Sequence, residues 1–301
     1  MKTCLALLTL TAVSCGCGGS HVVTNHTVVR QKPVARDATR EELLDRYNRS
    51  ARFIKTLNAT VEMKPTAGSK YSGVIDEYHE VKAFLLAARP EKIRVIGQVP
   101  VIGKTVFDMA SDGETFSVSI PPKNKFLEGQ VAQEHVSSKP IENLRPQHLI
   151  DALLWPEIRK EEAVLFEEFN DDNARYYVLT VLRGGYQTET YRKIWFDRAD
   201  LQVTRMQVFA PKGLLASDIR VADIEPVDNA AELNASGTLA DGATSLPRTI
   251  RIERPHDDYT LDLQVMKIIL NEQIPSERFK LEQPGGAEFV HMGDAAEKKQ
   301  P

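Results

Sequence analysis

Residues 259–265 read Tyr-Thr-Leu-Asp-Leu-Gln-Val, with an apolar or aromatic side chain at every second position. Successive side chains of a β-strand point to opposite faces, so this alternation predicts a strand with one buried and one solvated face. The same period recurs at 115–120 and, less regularly, at 177–181. We therefore expect a fold built mainly from β-structure.

Turn-forming residues separate these runs. They occur at Ser111–Gly113, Asn170–Asn173, Asp197–Asp200 and His256–Asp258. Short turns between consecutive strands favour an antiparallel meander, and a meander of about ten or eleven strands rarely stays flat in one open sheet. We predict an α+β fold, mainly antiparallel β, in which a curled meander forms an incomplete, half-open β-barrel lidded by helices.

The first helix is predicted to begin at a capping box. Thr39 is its N-cap, Glu42 follows three residues later, and the helix continues to about Leu57. Its apolar face consists of Leu43, Tyr47, Ala51 and Ile54.

The second helix is predicted between two prolines. It runs from Leu144 to Trp155, with Pro146 at its start and Pro156 at its end. Leu149, Ile150, Leu153 and Leu154 lie on one side of it. Two strands, 84–88 and 265–270, are apolar on both faces, and either helices or a ligand could cover the second face.

The N-terminus has the pattern of an export signal. Met1-Lys2 is followed by an apolar stretch from Leu5 to Val13, which is far too short to span a bilayer core of ~30 Å. Ala12-Val13-Ser14-Cys15 resembles a bacterial lipobox, in which the cysteine is lipidated and becomes the new N-terminus. Cys15 is the predicted lipidation site, and Cys17 is the second choice.

These patterns divide the chain into four parts. Residues 1–14 are the expected lipoprotein signal peptide, 15–37 a flexible lipid-anchored tether, 38–286 the folded domain, and 287–301 a disordered tail. All three cysteines, Cys4, Cys15 and Cys17, precede the folded domain, so it contains neither a disulfide nor a cysteine metal site.

Charge and motifs argue against several functions. The 38 Lys and Arg residues nearly balance the 42 Asp and Glu residues, which provides no strong field for nucleic acid. No phosphate-binding loop, zinc-protease motif or nucleophile elbow is present, and the seven His residues lack metal-ligand spacing. Adjacent acidic residues such as Glu161-Glu162 and Glu167-Glu168 point to opposite strand faces. We expect no enzyme activity, no cofactor and no metal.

Three segments resemble the LolA/LolB superfamily of periplasmic lipoprotein carriers and receptors. The first is Ile93–Met109, which contains Gln98-Val99-Pro100-Val101-Ile102-Gly103-Lys104. The second runs from Ile194 to Arg205 and continues through 219–224 and 246–252. The third is Leu270–Pro275, followed by 279–281 and 284–286. The order of these segments over most of the chain carries the resemblance.

The resemblance implies a half-open barrel that encloses an apolar cavity for acyl chains. It also implies an apolar residue that protrudes from the 98–104 turn and acts on membrane or cargo. Ile102 is the best match and Val101 the second; the alternative is that Val99, Val101 and Ile102 fold into the barrel mouth. An arginine that locks the lid is implied as well, with Arg89 and Arg94 as its two candidates.

The function expected from these observations is that of a lipid-anchored binding protein of the cell envelope. It would hold or transfer acyl chains, such as palmitate, of lipoproteins or lipids, and it would be a monomer on the periplasmic face of the outer membrane. The alternative is an envelope interaction or stress-sensing protein that uses the same fold to bind a protein partner.

Overall fold

The computed structural model describes residues 34–68, 75–132, 143–171, 174–184, 188–227 and 245–292. The strands found in these residues are β1 (Thr56–Gly68), β2 (Ile75–Glu77), β3 (Val81–Ala88), β4 (Lys92–Gln98), β5 (Thr105–Ser111), β6 (Thr115–Ile120), β7 (Lys125–Gln130), β8 (Ala163–Asn170), β9 (Arg175–Arg183), β10 (Glu189–Asp197), β11 (Val203–Ala210), β12 (Leu214–Pro226), β13 (Ser245–Arg254), β14 (Tyr259–Leu270) and β15 (Glu288–His291). The two α-helices of this part are α1 (Arg40–Phe53) and α2 (Gln147–Leu153).

The strands form one 15-stranded sheet in the order β15-β7-β6-β5-β4-β3-β1-β14-β13-β12-β11-β10-β9-β8, with β2 paired to β1. Neighbouring strands are antiparallel, except that β15 runs parallel to β7. Strand β1 pairs with β14 at the centre, where Leu57 lies opposite Leu270. The sheet therefore consists of two meanders joined by the first and last long strands. This confirms the predicted curled, mainly antiparallel sheet with helices.

The strand number exceeds the predicted ten or eleven for a physical reason. Strands β2 and β15 have only 3 and 4 residues, too few for a period of two to appear in the sequence. Strand β8 lies at the edge of the sheet, and seven of its eight residues are exposed. Because β8 has no buried face, its sequence shows no alternation.

The core lies between the concave face of the sheet and the two helices. Alternate residues of the central strands, such as Val61, Met63, Leu261 and Leu263, are at most 1% exposed. They contact the buried apolar residues of α2 in one continuous cluster. Burying such a side chain contributes roughly 1.5–3 kcal/mol, so this cluster is the main stabilising element of the domain.

Helix α1 begins as predicted and ends earlier. The Thr39 hydroxyl accepts a hydrogen bond from the Glu42 amide at 3.2 Å, and the Thr39 amide donates to the Glu42 carboxylate at 2.7 Å. The predicted apolar face is buried. The helix ends at Phe53 and not near Leu57, because the next residues join the sheet: the Lys55 amide donates to Asn271 Oδ1 at 2.8 Å.

Helix α2 is also shorter than predicted, at seven residues, and its predicted apolar side is buried. Leu149 is 0% exposed and Leu154 is 1% exposed. The helix packs into the concave face of the sheet, which makes it the lid that the sequence predicted.

The predicted tail at 287–301 is wrong in its first part. Glu288–His291 form β15, which adds to the edge of the sheet beside β7. The Phe289 ring stacks on Phe126 with centroids 6.1 Å apart, and Met292 is buried. Four residues that pair with an existing edge need no hydrophobic period of their own, so no local pattern predicts this strand. The rest of the predicted tail lies outside the described residues.

The predicted tether at 15–37 extends too far at its C-terminal end, because Arg36 and Asp37 already contact the folded domain. The Arg36 amide donates to the Arg198 carbonyl at 2.7 Å, and the Arg198 guanidinium pairs with Asp37 at 2.7 Å. Arg198 is only 8% exposed, so its charge needs acceptors, and Asp37 with Glu168 provides them. Residues 15–33 of the predicted tether lie outside the described residues.

The second face of the two apolar strands is not covered by either α-helix described. Phe84 in β3 and Ile269 in β14 are each 37% exposed on the convex face, whereas their neighbours Leu85 and Leu270 are buried. Both described helices lie on the concave side, so helix packing does not explain the outer apolar residues.

Candidate functional site

An apolar cleft lies between α2 and the concave face of the sheet. Its cavity volume is about 20 Å³, little more than the ~10–15 Å³ that one water molecule needs. An acyl chain does not fit into this space, so the cleft is closed to such a ligand in this conformation. The lining residues come from β1, β13, β14 and the end of α2: Leu57, Ala59, Ala152, Leu153, Trp155, Leu246, Pro247, Ile250, Val265 and Ile268.

Trp155 separates this cleft from a smaller one of about 10 Å³ under α1. Both clefts are lined by Leu153, Trp155 and Leu246. The Trp155 indole stacks on Tyr47 of α1 with ring centroids 6.0 Å apart and an interplanar angle of 2°. Movement of Trp155 would therefore join two small apolar spaces into one larger one.

Residues Trp155–Ile158, which we call the strap, follow α2 and run along α1. Asn48 of α1 holds Ile158 through two bonds, donating to its carbonyl at 2.8 Å and accepting from its amide at 2.9 Å. The Tyr47 hydroxyl donates to the Pro156 carbonyl at 3.0 Å. Burial raises the pKa of Tyr47 to about 12, which keeps the phenol protonated as a donor. The strap thus fixes α2 to α1.

Arg89, just after β3, connects both helix ends to the sheet. Its Nε donates to the carbonyl of Ile54 at the end of α1 at 2.7 Å, and its Nη2 donates to the carbonyl of Trp155 at 2.8 Å. Partial burial lowers the pKa of Arg89, and the interactions with Tyr47 and Glu157 act in the opposite direction. Arg89 therefore has the geometry of a latch that holds the lid closed.

Arg94, the other candidate for a lid-locking arginine, has different contacts. Its guanidinium makes two hydrogen bonds with the Asp108 carboxylate of β5, at 3.0 and 2.7 Å. Its third partner is the Arg278 carbonyl at 3.1 Å. Since none of these contacts reaches α1, α2 or the strap, the geometry selects Arg89 over Arg94.

A partly buried histidine, His148, lies on α2, on the side facing β14. Its Nδ1 is 2.5 Å from the Tyr259 hydroxyl, and the two rings stack with centroids 6.0 Å apart. Desolvation lowers the pKa of His148 well below its usual value, and the nearby charges of Arg254 and Arg145 lower it further. His148 is therefore neutral in the folded protein.

The hairpin tip Val99–Lys104 joins β4 to β5. Val101 is fully exposed and Ile102 is 76% exposed, so neither folds into the barrel mouth. The Ile102 amide donates to the Pro100 carbonyl at 2.8 Å, and the Gly103 amide donates to the Val99 carbonyl at 3.0 Å.

The backbone at the tip is strained. Val101 has a φ of 68°, in the left-handed region, where a β-branched residue is a genuine outlier. The three-residue turn centred on it is of a rare kind. Because Val101 has no packing to compensate for this strain, its exposed apolar side chain is a candidate for function.

The remaining predicted site residues have no structural test. Cys15 and Cys17 lie outside the described residues. In the part of the chain that the structure describes, no three His, Cys, Asp or Glu side chains are grouped so that they could hold a metal ion. Among the same residues, no helix combines the length and apolar character needed to cross a membrane.

Arg192 and the strap are functional candidates that were not predicted from the sequence. Arg192 occupies a concave-face position of β10, together with Ile194 and Phe196, and is 1% exposed. The available signal for Arg192 was a charged residue at a strand position that the alternation predicts to be buried. No local sequence pattern predicts the strap, since the side chains that hold it are remote in sequence.

Comparisons with known proteins give structural similarities at low sequence identity. The fold is similar to a LolA superfamily protein from Nitrosomonas europaea, with 14% identity, a TM-score of 0.45, and coverage of 81% of this chain and 99% of the other. It is similar to a DUF1329 family protein from Desulfovibrio piger (12%, TM-score 0.47, covering 80% and 96%). A third is a putative outer membrane lipoprotein-sorting protein domain from Vibrio parahaemolyticus (11%, TM-score 0.46, covering 79% and 95%). No family model and no curated protein matches the sequence.

His148 is expected to make stability depend on pH. Because its folded pKa lies below its unfolded value of about 6.5, the unfolded chain binds the proton more readily, and stability falls as the pH drops below about 6.5. Replacing His148 with Gln should flatten this part of the curve by up to about 1.4 kcal/mol per pH unit. Denaturant unfolding between pH 7 and pH 5 measures the difference, and the exposed His256→Gln is the control. A His148→Gln curve parallel to that of the wild type would contradict the assignment.

Two substitutions test the geometry of the hairpin tip. Val101→Gly should raise the free energy of unfolding by about 0.5–1 kcal/mol, because glycine adopts a positive φ without strain. Ile102→Glu should leave it within about 0.5 kcal/mol, as at any exposed site. Thermal and denaturant melts measure both changes. A loss of several kcal/mol for Ile102→Glu would place this side chain in the core.

Proposed function

We propose that this protein is a lipid-anchored binding protein of the cell envelope that holds or transfers acyl chains of lipoproteins or lipids. The observation that carries the proposal is the closed apolar cleft under α2, whose lid is fastened by Arg89 to the carbonyls of Ile54 and Trp155. The lining is almost entirely apolar, as in ligand pockets, which have volumes of about 300–1,000 Å³, so binding requires the cleft to widen. Hydrogen bonds that can break and re-form over such a cleft are consistent with a binding site that opens for its ligand.

The hairpin tip is proposed to act on the membrane or on the cargo. An exposed Val-Ile pair on a strained turn gains by inserting into an apolar phase, since burial of each side chain is worth roughly 1.5–3 kcal/mol. Ile102→Glu, which should remain folded, is then expected to weaken the transfer of an acylated protein to liposomes.

Cys15 is proposed to carry the lipid. Each buried CH₂ of an acyl chain contributes about 0.8 kcal/mol, so several chains hold a protein permanently in a membrane. Cys15→Ala should leave the protein unprocessed or release it from the membrane fraction, whereas Cys17→Ala should change neither. Cell fractionation with a mobility assay measures both. Unchanged processing and membrane association of Cys15→Ala would refute this site.

Binding of acyl chains in the cleft is tested with the environment-sensitive dye 1-N-phenylnaphthylamine and a palmitoylated peptide as competitor. The wild-type domain should bind the dye and release it to the peptide. In Arg89→Met, the loss of charged hydrogen bonds should raise the open population by about tenfold or more, and the apparent dye affinity with it. Arg94→Met removes the arginine on β4 that makes no lid contact, and should leave dye binding unchanged.

The outcome of the dye experiment decides between two functions. If a folded sample binds neither dye nor peptide, the proposal that the cleft binds acyl chains is wrong. The alternative of a protein-interaction or stress-sensing role would then be favoured by β8, an edge strand on which Leu165 and Phe169 are 51% and 46% exposed and which pairs only with β9 among the described strands. Open edge strands with apolar side chains can accept a strand from another protein.

A further inference from the structure

Arg192 is a buried cation that has no ion pair among the described residues, and its guanidinium carbon lies 5.0 Å from the centre of the Tyr191 ring. It is 1% exposed on the concave face of β10, between Val181 of β9 and Val208 of β11. The other buried charged residues in the described part of the chain, Arg198 and Asp218, both have ion pairs. Since burial of an uncompensated charge costs several kcal/mol, the position of Arg192 requires an explanation.

The hydrogen bonds of Arg192 are incomplete. Its Nη1 donates to the Pro156 carbonyl of the strap at 2.9 Å and to the Tyr47 hydroxyl at 3.3 Å. Its buried Nε has no partner among the described residues. The buried Ser217 hydroxyl of β12 also lacks a partner there. Unpaired buried polar groups are rare in folded proteins, and the third one among the described residues is Gln147 Oε1 of α2.

Arg192 and Ser217 lie in one row across the concave face. Arg192 is opposite Val208 of β11, and Val208 is opposite Ser217 of β12. Two inter-strand spacings separate Arg192 from Ser217, about 10 Å. One polar headgroup with several oxygen atoms, placed over Val208, can therefore approach both side chains.

The strap separates Arg192 from the apolar cleft. Trp155 lines the cleft, and the adjacent Pro156 carbonyl is the acceptor of Arg192. Because the closed cavity of about 20 Å³ cannot hold an acyl chain, binding requires the strap to move. That movement uncovers Arg192 and opens the path from it to the cleft. Ile250 of β13, on the cleft wall, is three strands from β10 and pairs with Val221, four residues along β12 from Ser217. The separation from Arg192 along the sheet is therefore roughly 19 Å, which an extended long acyl chain spans.

Asp151 of α2 supplies part of the negative charge that Arg192 needs while the lid is closed. Its charge interacts with Arg192 and Arg254, but no hydrogen bond joins its carboxylate to either arginine in the described part of the chain. Burial raises the pKa of Asp151, and Arg192 acts in the opposite direction. When α2 moves, Arg192 loses this partner together with the Pro156 carbonyl.

We propose that Arg192 is the headgroup receptor of an anionic amphiphile, whose apolar chain fills the cleft and whose carboxylate or phosphate replaces the Pro156 carbonyl and Asp151. This inference rests on the proposed function and names its ligand class. An apolar chain needs the cleft, and an anionic head makes stronger hydrogen bonds with the guanidinium than a neutral head does once the lid is open. The site thus distinguishes charged lipids from neutral ones.

The experiment compares ligands with the same chain and different heads. Palmitate is paired with palmitamide, and hexadecyl phosphate with hexadecanol, each as a competitor of the dye at pH 8. Because both members of a pair require the same opening of the lid, the ratio of their dissociation constants isolates the headgroup. The anionic member should bind about tenfold to a hundredfold more tightly, as expected for a charge-assisted hydrogen bond. The pair with the larger ratio identifies carboxylate or phosphate as the preferred head.

Variants of Arg192 assign this preference to one residue. Arg192→Met should abolish it, Arg192→Lys should retain much of it, and Ser217→Ala should reduce it. Arg220→Met, an exposed arginine on the convex face of β12, should leave it unchanged. If Arg192→Met does not fold, the wild-type ratios and Arg192→Lys still decide.

Two results would overturn this inference without contradicting the proposed function. One is equal affinity of the wild type for both members of each pair, and the other is an undiminished preference in a folded Arg192→Met. In both cases binding of the chains would still support the proposed function. If none of the four amphiphiles displaces the dye, the proposed function itself fails.

Discussion

The peptide groups of Trp155 and Pro156 must find hydrogen-bond donors in an interior that is otherwise apolar. Two arginines from opposite parts of the sheet provide them, Arg89 after β3 for the first carbonyl and Arg192 of β10 for the second. A buried carbonyl without a donor would cost about 1–3 kcal/mol. Together with the Tyr47 hydroxyl, which also donates to the Pro156 carbonyl, and the two bonds between Asn48 and Ile158, these contacts hold the strap against α1 and the sheet.

The two arginines do not contribute equally to the closed state. Arg89 is partly buried, and its guanidinium makes two charged hydrogen bonds, one to each helix end. Arg192 is fully buried and leaves Nε unpaired, so its burial opposes closure even while its Nη1 supports it. Under the proposed function, a ligand opens this lid when its affinity for the open state exceeds its affinity for the closed state by more than the free energy of closure.

Some elements of the fold can be predicted from local sequence, and others cannot. The alternation at 259–265 identified β14, and the capping box identified the start of α1, because both signals are local. The end of α1 was missed, since a contact with Asn271, distant in sequence, ends the helix. The short strands β2 and β15 were missed for a related reason: their pairing partners define them, not a buried face of their own.

The sequence by itself determined the mainly antiparallel sheet, two helices with apolar faces, and an apolar turn at Val101 and Ile102. These features follow from hydrophobic period, caps and turn residues, which act over a few neighbouring positions. Only the tertiary structure decided that Arg89 and not Arg94 reaches the lid, that the tip is exposed, and that Arg192 lies beneath the strap. Each of these depends on the curl of the sheet, which brings residues more than thirty positions apart within hydrogen-bonding distance.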